Sequence, residues 1–337
     1  MLNFDEARFV RIQSGAVSLA ERLDQTIAEC LAKGAKNLFF LGAGGAGILM
    51  LPAARLLQTR STFPVFVEMP AELVVAGSVH LGAQSIVVIP SLSGTTKESV
   101  DALAYCKRKG ATVLTLTGHE DSPLAKDADY SFVNFAEDDT SCESFYLQSL
   151  LIALSLMQQR GELGHYAELV AELERLPDLL LEVKRGFEPR AEQLAEQIKD
   201  EPYHIVTGAG STWPEAFYYA MCILEEMQWI RTRPVHASDF FHGTLELVEG
   251  GVSVLLFKGE DETRPLVERV EKFTPQYTDK MVLLDTAELP LPGISQEVRS
   301  MISPVLLATV LERVSAHLEV KRDHPLTTRR YYKRVEY

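Results

Sequence analysis

Apolar residues recur at Ile12, Ala16, Leu19, Leu23, Ile27 and Leu31, a three-and-four spacing that predicts one amphipathic helix from about Asp5 to Lys33. Beyond it the pattern changes to short apolar runs that stop at turn residues. Asn37 to Leu41 (NLFFL) runs into glycines and reads as a buried strand. A helix from about Ala46 to Thr59 follows, then strands at Pro64 to Val67 and Ser85 to Pro90. Next come a helix from Lys97 to Arg108 and strands at Ala111 to Leu116 and Tyr130 to Phe135. Uninterrupted apolar strands alternating with helical periods predict βαβ units, hence a mainly parallel sheet covered by helices on both faces. Positions 140–199 read as helix almost throughout.

The same grammar then restarts. Tyr203 to Thr207 reads as a strand ending in GAGSTWPEA, followed by a helix to about Trp229 and a strand from Val252 to Phe257. A helix from Leu266 to Phe273, a strand from Lys280 to Asp285 and a long helix from Val298 to His317 complete the pattern. Gly42 and Gly44 correspond to Gly208 and Gly210 at an offset of 166. Pro70-Ala71-Glu72 answers Ala237-Ser238-Asp239, and Ser91 answers Lys258, both at 167. Landmarks held in one register within a residue imply a duplicated α/β lobe.

Composition narrows the class. With 46% hydrophobic and 24% charged residues the 337-residue chain is that of a folded protein, not a fibrous or disordered one. Its 47 acidic and 33 basic residues give a net charge of −14, which repels phosphate backbones and argues against a nucleic-acid partner. Cys30, Cys106, Cys142 and Cys222 are scattered without a C-x-x-C pair, which suits a reducing compartment and offers no zinc signature. The N-terminal MLNFDEARFV carries acids where a signal peptide has bases, and the most apolar helical stretch, Leu150 to Met157, is too short to span a bilayer. A cytoplasmic protein with no membrane partner is the expectation.

Three segments carry candidate chemistry. In SLSGTTKES, Ser91, Ser93, Thr95 and Thr96 surround Gly94 between a strand and a helix start. Free N–H groups, a helix dipole and hydroxyls together suit a phosphate, although a serine-rich helix cap would look similar. The counterpart in the second repeat, KGEDET (Lys258 to Thr263), is acidic and nearly without hydroxyls, so one lobe keeps an anion site and the other has lost it. Gly42, Gly44 and Gly47, with Glu68 closing the next strand, also fit a dinucleotide fingerprint; the second lobe lacks the third glycine, which favours a role in the fold.

The next segment is EEMQWIRTRPVHASDFFHG. Glu226 sits between apolar neighbours on a helix, a setting that would desolvate a carboxylate and suit it to act as a base, while His242 lies in a loop before Gly243. A helix-surface acid and a structural histidine are the plainer alternatives. The tail HPLTTRRYYKRVEY concentrates Arg329, Arg330, Lys333 and Arg334, either as a solvated end or as a cationic flap over an anionic substrate.

Along nearly its whole length the chain resembles the sugar isomerase (SIS) family. Two tandem SIS lobes occur in the isomerase half of glucosamine-6-phosphate synthase and in fructosamine-6-phosphate deglycases. SLSGTTKES matches every specified position of the family loop S-x-S-G-x-T-x-E, Glu98 included. The resemblance implies a flavodoxin-like three-layer α/β fold, phosphate binding by Ser91, Ser93, Gly94, Thr95 and Thr96, and substrate contacts at Gly44, Gly45, Glu72 and Arg330. Because the first loop reads GAGGAG where relatives often carry Ser or Thr, Gly45 is left with only its backbone to offer. It further implies proton abstraction by Glu226 and ring opening or proton donation by His242, sixteen residues on. Ala237-Ser238-Asp239-Phe240 stands where the family has S-G-E-F.

The implied organisation is an N-terminal helix (1–34), a phosphate-binding lobe (35–160), connecting helices (161–200), a second lobe (201–320) and a tail (321–337) closing over the active site. The implied reaction is cleavage of a 6-phosphorylated sugar–amino acid conjugate to a hexose 6-phosphate and a free amino acid, with no metal or organic cofactor. The alternatives are an aminosugar-phosphate isomerase or deaminase, and a sugar-phosphate-sensing regulator that needs neither Glu226 nor His242. Since the family's histidine comes from a neighbouring subunit, a homodimer or larger homo-oligomer with a shared site is expected.

Overall fold

The computed structural model describes residues 1–138, 141–332 and 334–336. The chain forms two compact units: residues 7–178, and residues 1–6 together with 179–337. Lys333 of the basic tail, and Thr140 at the start of the expected helical stretch, lie outside the described residues.

The N-terminal unit opens with α1 (Glu6–Val17) and α2 (Ala20–Ala32) in place of one continuous helix. The break has a local cause. The Ser18 hydroxyl takes the carbonyl of Gly15 and the Leu19 N–H bonds only three residues back, to Ala16, so the ladder tightens and stops. The sheet comprises β1 (Asn37–Leu41), β2 (Val65–Glu68), β3 (Ser85–Ser91), β4 (Thr112–Thr117) and β5 (Tyr130–Val133). All pairings are parallel and the order is β2-β1-β3-β4-β5. The connections carry α3 (Gly44–Ile48), α4 (Leu51–Arg60), α5 (Pro70–Ala76), α6 (Lys97–Arg108) and α7 (Pro123–Asp127), and α8 (Glu143–Gln159) follows β5. Where one helix is expected after β1, two short ones form, joined at Leu49 and Met50.

Phe39, Leu41, Val87, Ile89 and Val113 pack with Leu103 and Cys106 of α6 on one face of this sheet. The alternate residues Leu38, Phe40, Val88 and Leu114 are equally buried on the other. Burial on both faces is why these strands read as unbroken apolar runs. Helix α8 packs against α2 and α4 and is buried from Glu143 to Met157.

Helix α9 (Tyr166–Leu173) and α10 (Leu176–Ile198) lead to the C-terminal unit, whose boundary falls within α10. Its sheet contains β6 (Tyr203–Gly208), β7 (Arg231–His236), β8 (Ser253–Lys258) and β9 (Met281–Asp285), all parallel, in the order β7-β6-β8-β9. That is the order of the first four strands of the N-terminal sheet, so the duplication inferred from the sequence is present in the fold. Gly44 and Gly210, one repeat apart, share a left-handed backbone with φ of +56° and +55°.

Strand β7 (RTRPVH) was not expected. It is an edge strand with alternating exposure and a proline, a place where a polar, Pro-containing segment can still form a strand. After β6 come α11 (Trp213–Tyr218) and then a π-helix, Tyr219–Met227, instead of a single α-helix to Trp229. Helix α12 (Arg264–Phe273) covers β8, and α13 (Gln296–Lys321) runs through the unit.

Helix α13, not the stretch at Leu150, is long and apolar enough to cross a membrane, but 89% of that apolar window is buried inside the protein. It also carries Arg313, fully buried, whose guanidinium bonds Glu188 at 2.7 Å, Glu312 at 3.2 Å and the carbonyl of Leu2. The Phe4 ring lies 4.9 Å beneath that guanidinium and the Leu2 N–H donates to Glu188, so the first six residues are tied to the C-terminal unit.

Candidate active site

In a parallel sheet of this order the chain leaves β1 and β3 in opposite directions, opening a crevice at their carboxyl ends where ligands commonly bind. The loops at that crevice are Gly42–Gly47 and Leu92–Thr96. In the first, a Cβ on Gly42 would stand 2.2 Å from Gly47 Cα, and one on Gly47 2.2 Å from the Gly42 carbonyl. These two glycines serve the turn's contact with itself, which accounts for them without a dinucleotide. Gly45 follows Gly44 in the first turn of α3. Glu72 lies exposed in the first turn of α5, after β2.

The second loop is built around Ser91 and Gly94. The Ser91 side chain, buried at the end of β3, receives the Gly94 N–H at 3.2 Å and shares a hydrogen bond with the Thr96 hydroxyl at 3.1 Å. Gly94 has φ +62°, and a Cβ there would fall 2.1 Å from Ser122 Oγ and 2.9 Å from Thr117 Oγ1. Only glycine fits, on conformation and on space. Ser93 Oγ accepts from Thr95, from the hydroxyl at 3.0 Å and from the N–H at 3.3 Å. Thr96 occupies the N-cap of α6, yet its hydroxyl is turned to Ser91 and makes no cap bond. The first-turn N–H groups of Lys97, Glu98 and Ser99 have no acceptor within the helix. The buried Ser99 hydroxyl adds a polar group without a partner among the described residues. All five candidate phosphate residues thus lie in one stretch, from the end of β3 to the N-cap of a twelve-residue helix, at that helix's positive end.

In the C-terminal unit the corresponding loop is occupied from within. Counting 167 positions on, Ser91, Ser93, Gly94 and Thr96 become Lys258, Glu260, Asp261 and Thr263. The Asp261 carboxylate accepts the Ser211 N–H at 2.8 Å, the Ser211 hydroxyl at 2.6 Å, the Thr263 N–H at 2.9 Å and the Thr263 hydroxyl at 2.5 Å. It sits directly over Gly210, where a Cβ would come within 2.6 Å of it. Glu260 is paired with Arg299 through two 2.8 Å bonds, and Lys258 bridges Glu271 and Asp285 at 2.8 and 3.0 Å. Burial alone would raise the Asp285 carboxyl, but hydrogen bonds from Arg264 and Lys258 outweigh it and hold the group below its ordinary range.

Glu226 lies near the end of the π-helix, a form that often marks functional sites. The carboxylate is partly desolvated, as its apolar sequence neighbours suggest, but it also has a charged partner. The Glu226 side chain is about a third exposed, and Nε of Arg329 in the C-terminal tail forms an ion pair with its Oε1 at 2.9 Å. The guanidinium of Arg330, the expected substrate contact, lies 3.9 Å over the ring of Trp229. Trp229 itself adopts φ +56°, rare for a bulky residue, at the turn into β7. His242 ends a short 3-10 turn after β7, its N–H bonded to the Asp239 carbonyl and followed by Gly243 at φ +146°. Arg233 of β7 reaches Thr244 at 3.1 Å, fixing the turn that carries the imidazole.

These two lobes and the hydroxyl-rich loop define the class. The SIS domain family model matches residues 32–158, the N-terminal lobe. The chain is 30% identical to fructosamine deglycase FrlB of Bacillus subtilis over 303 residues, 89% of this chain and 92% of that protein. It is 26% identical to fructoselysine 6-phosphate deglycase of Escherichia coli over 306 residues, 91% of this chain and 88% of that protein. A Bacillus subtilis crystal structure assigned to the phosphosugar isomerases superposes with a TM-score of 0.88 at 30% identity, covering 96% of this chain and 99% of that one. The chain belongs to the SIS family.

Proposed function

We propose that this protein is a sugar-phosphate enzyme of the isomerase and deglycase kind, and specifically a deglycase acting on a 6-phosphorylated sugar–amino acid conjugate. The observation that carries the reading is the uncapped, hydroxyl-rich start of α6, in a chain that aligns over nine-tenths of its length with a deglycase of 6-phosphorylated conjugates. The 6-phosphate is held by Ser91, Ser93, Thr96 and the backbone around Gly94 and Thr95, with Gly44, Gly45, Glu72 and Arg330 contacting the rest of the substrate.

His242 assists opening of the sugar ring. Glu226 takes a proton from the carbon bearing nitrogen, and the resulting enaminol is reprotonated on the adjacent carbon. The carbon–nitrogen single bond thereby becomes a Schiff base without net oxidation. One water adds across that imine, the amine departs, and an aldehyde remains on a hexose 6-phosphate. Histidine supplied by a neighbouring copy, as the family resemblance implies, would make a homodimer or larger homo-oligomer the working unit.

The test is release of lysine or aspartate from the corresponding phosphorylated fructose conjugate. A well-placed acid–base group contributes roughly 10²–10⁴-fold, so Glu226→Gln should cut turnover by that range while inorganic phosphate still binds. Near-normal turnover in Glu226→Gln would remove the assignment, and ammonia as the sole amine product would move the protein to the deaminases.

A further inference from the structure

We infer that Arg329 is a positioning residue that sets the Glu226 carboxylate; this rests on the reading of Glu226 as the proton-moving group. The guanidinium is divided between two tasks. Its NH1 donates to the carbonyls of Leu326 at 2.6 Å and Thr328 at 2.9 Å, which fixes the turn of the tail, and its Nε pairs ionically with Glu226 Oε1 at 2.9 Å. The Arg329 side chain is 17% exposed, so this is not a loose surface pair.

The rest of the tail is fastened to the same four residues, Glu226 to Trp229. Gln228, fully buried, donates to the His324 carbonyl at 2.8 Å, and Arg322 donates to the Gln228 carbonyl at 3.4 Å. The Trp229 ring is met edge-on by His324 at 4.5 Å and covered by Arg330 at 3.9 Å. Downstream, Arg334 donates to the Arg329 carbonyl at 2.6 Å. The segment that needs fixing is also clear. Glu226 sits where a π-helix ends and a left-handed Trp229 turns the chain into β7, a strained conformation that persists only where the surrounding structure holds it.

A lysine in place of Arg329 keeps the charge but cannot reach both the tail carbonyls and the carboxylate, because it has one nitrogen and no fork. The expected signature is therefore on turnover and not on binding. In amine-release assays, Arg329→Gln should lower kcat about 10–100-fold with KM within about twofold, and Arg329→Lys should recover part of the loss. Adding Arg329→Gln to Glu226→Gln should cost nothing further, since residues acting as a unit are not additive. Unfolding in urea supplies an arm independent of the reaction: a cycle of the two single variants and the double should show the pair coupled by about fivefold in the unfolding constant.

A wild-type protein that releases no amine from any phosphorylated conjugate would end the functional reading, whereas an active wild type with unchanged kcat in Arg329→Gln would end this inference alone. Equal losses in kcat/KM arising wholly from KM, or a coupling of zero in urea, would also overturn it.

Discussion

Two crevices of one design end differently. Between β1 and β3 the N-terminal lobe presents hydroxyls and helix-start N–H groups, and between β6 and β8 the C-terminal lobe presents the same kind of donors already satisfied by Asp261. The exchange turns on one position. Gly94 is pressed against Ser122 and Thr117 in a conformation only glycine tolerates, and its counterpart Asp261 brings a carboxylate to the donors instead. A duplicated fold inherits the positive end of a helix twice. One copy can supply the negative charge itself and become scaffold, which, on the function proposed above, leaves the other to take its anion from solution. Lys258, in the place of Ser91, is likewise consumed by Glu271 and Asp285.

The strongest way to break this comparison is to spoil the N-terminal crevice. Gly94→Ala forces a Cβ against Ser122 and should weaken inorganic phosphate binding at least a hundredfold, about 3 kcal/mol, by titration calorimetry. Unchanged affinity would place the anion elsewhere. In the C-terminal crevice the loss should appear as stability. Asp261→Ala strands four donors and should lower the unfolding free energy in urea by about 2 kcal/mol, partly screened by water, with phosphate affinity intact.

A second asymmetry concerns acid. Strand β6 buries His204 where β1 has Leu38, and burial pushes the imidazole down to about 4. The unfolded chain then binds a proton that the folded one refuses, so stability is full above about pH 6.5 and drains as pH falls toward 4. Near pH 5 the loss is roughly 1–2 kcal/mol, and in His204→Leu the slope of urea stability between pH 6.5 and 4 should flatten. An unaltered slope would assign acid sensitivity to other groups. The finest test exchanges like for like. Thr96→Val should cost about tenfold in phosphate affinity, about 1.4 kcal/mol, with little change in urea, whereas Thr263→Val should do the opposite.

Much of this was legible in the sequence for definite reasons. Strands buried on both faces have nowhere to hide polar residues, so β1, β3, β4, β6 and β8 announce themselves, and the repeat of the glycine turns gave the two lobes. The SLSGTTKES loop was readable because its chemistry is local, held within a few residues of one helix start. What escaped depended on tertiary partners. Strand β7 is polar because it lies at an edge, and the π-helix before it differs from an α-helix by hydrogen-bond register and not by composition. Arg329 was indistinguishable from Arg330 until the tail's path put one beside Glu226 and the other over Trp229. Asp261 looked like a lost site, whereas it is a filled one.

The ties from Leu2 and Phe4 to Arg313 and Glu188 have a consequence for synthesis. Residues 1–6 are synthesised ahead of the N-terminal lobe yet belong to the unit completed after it, and their berth exists only once α13 has emerged. The N-terminal lobe can therefore mature while its own leading segment still waits, and a tag fused ahead of Met1 would burden the distant C-terminal unit before it troubled the lobe beside it in sequence.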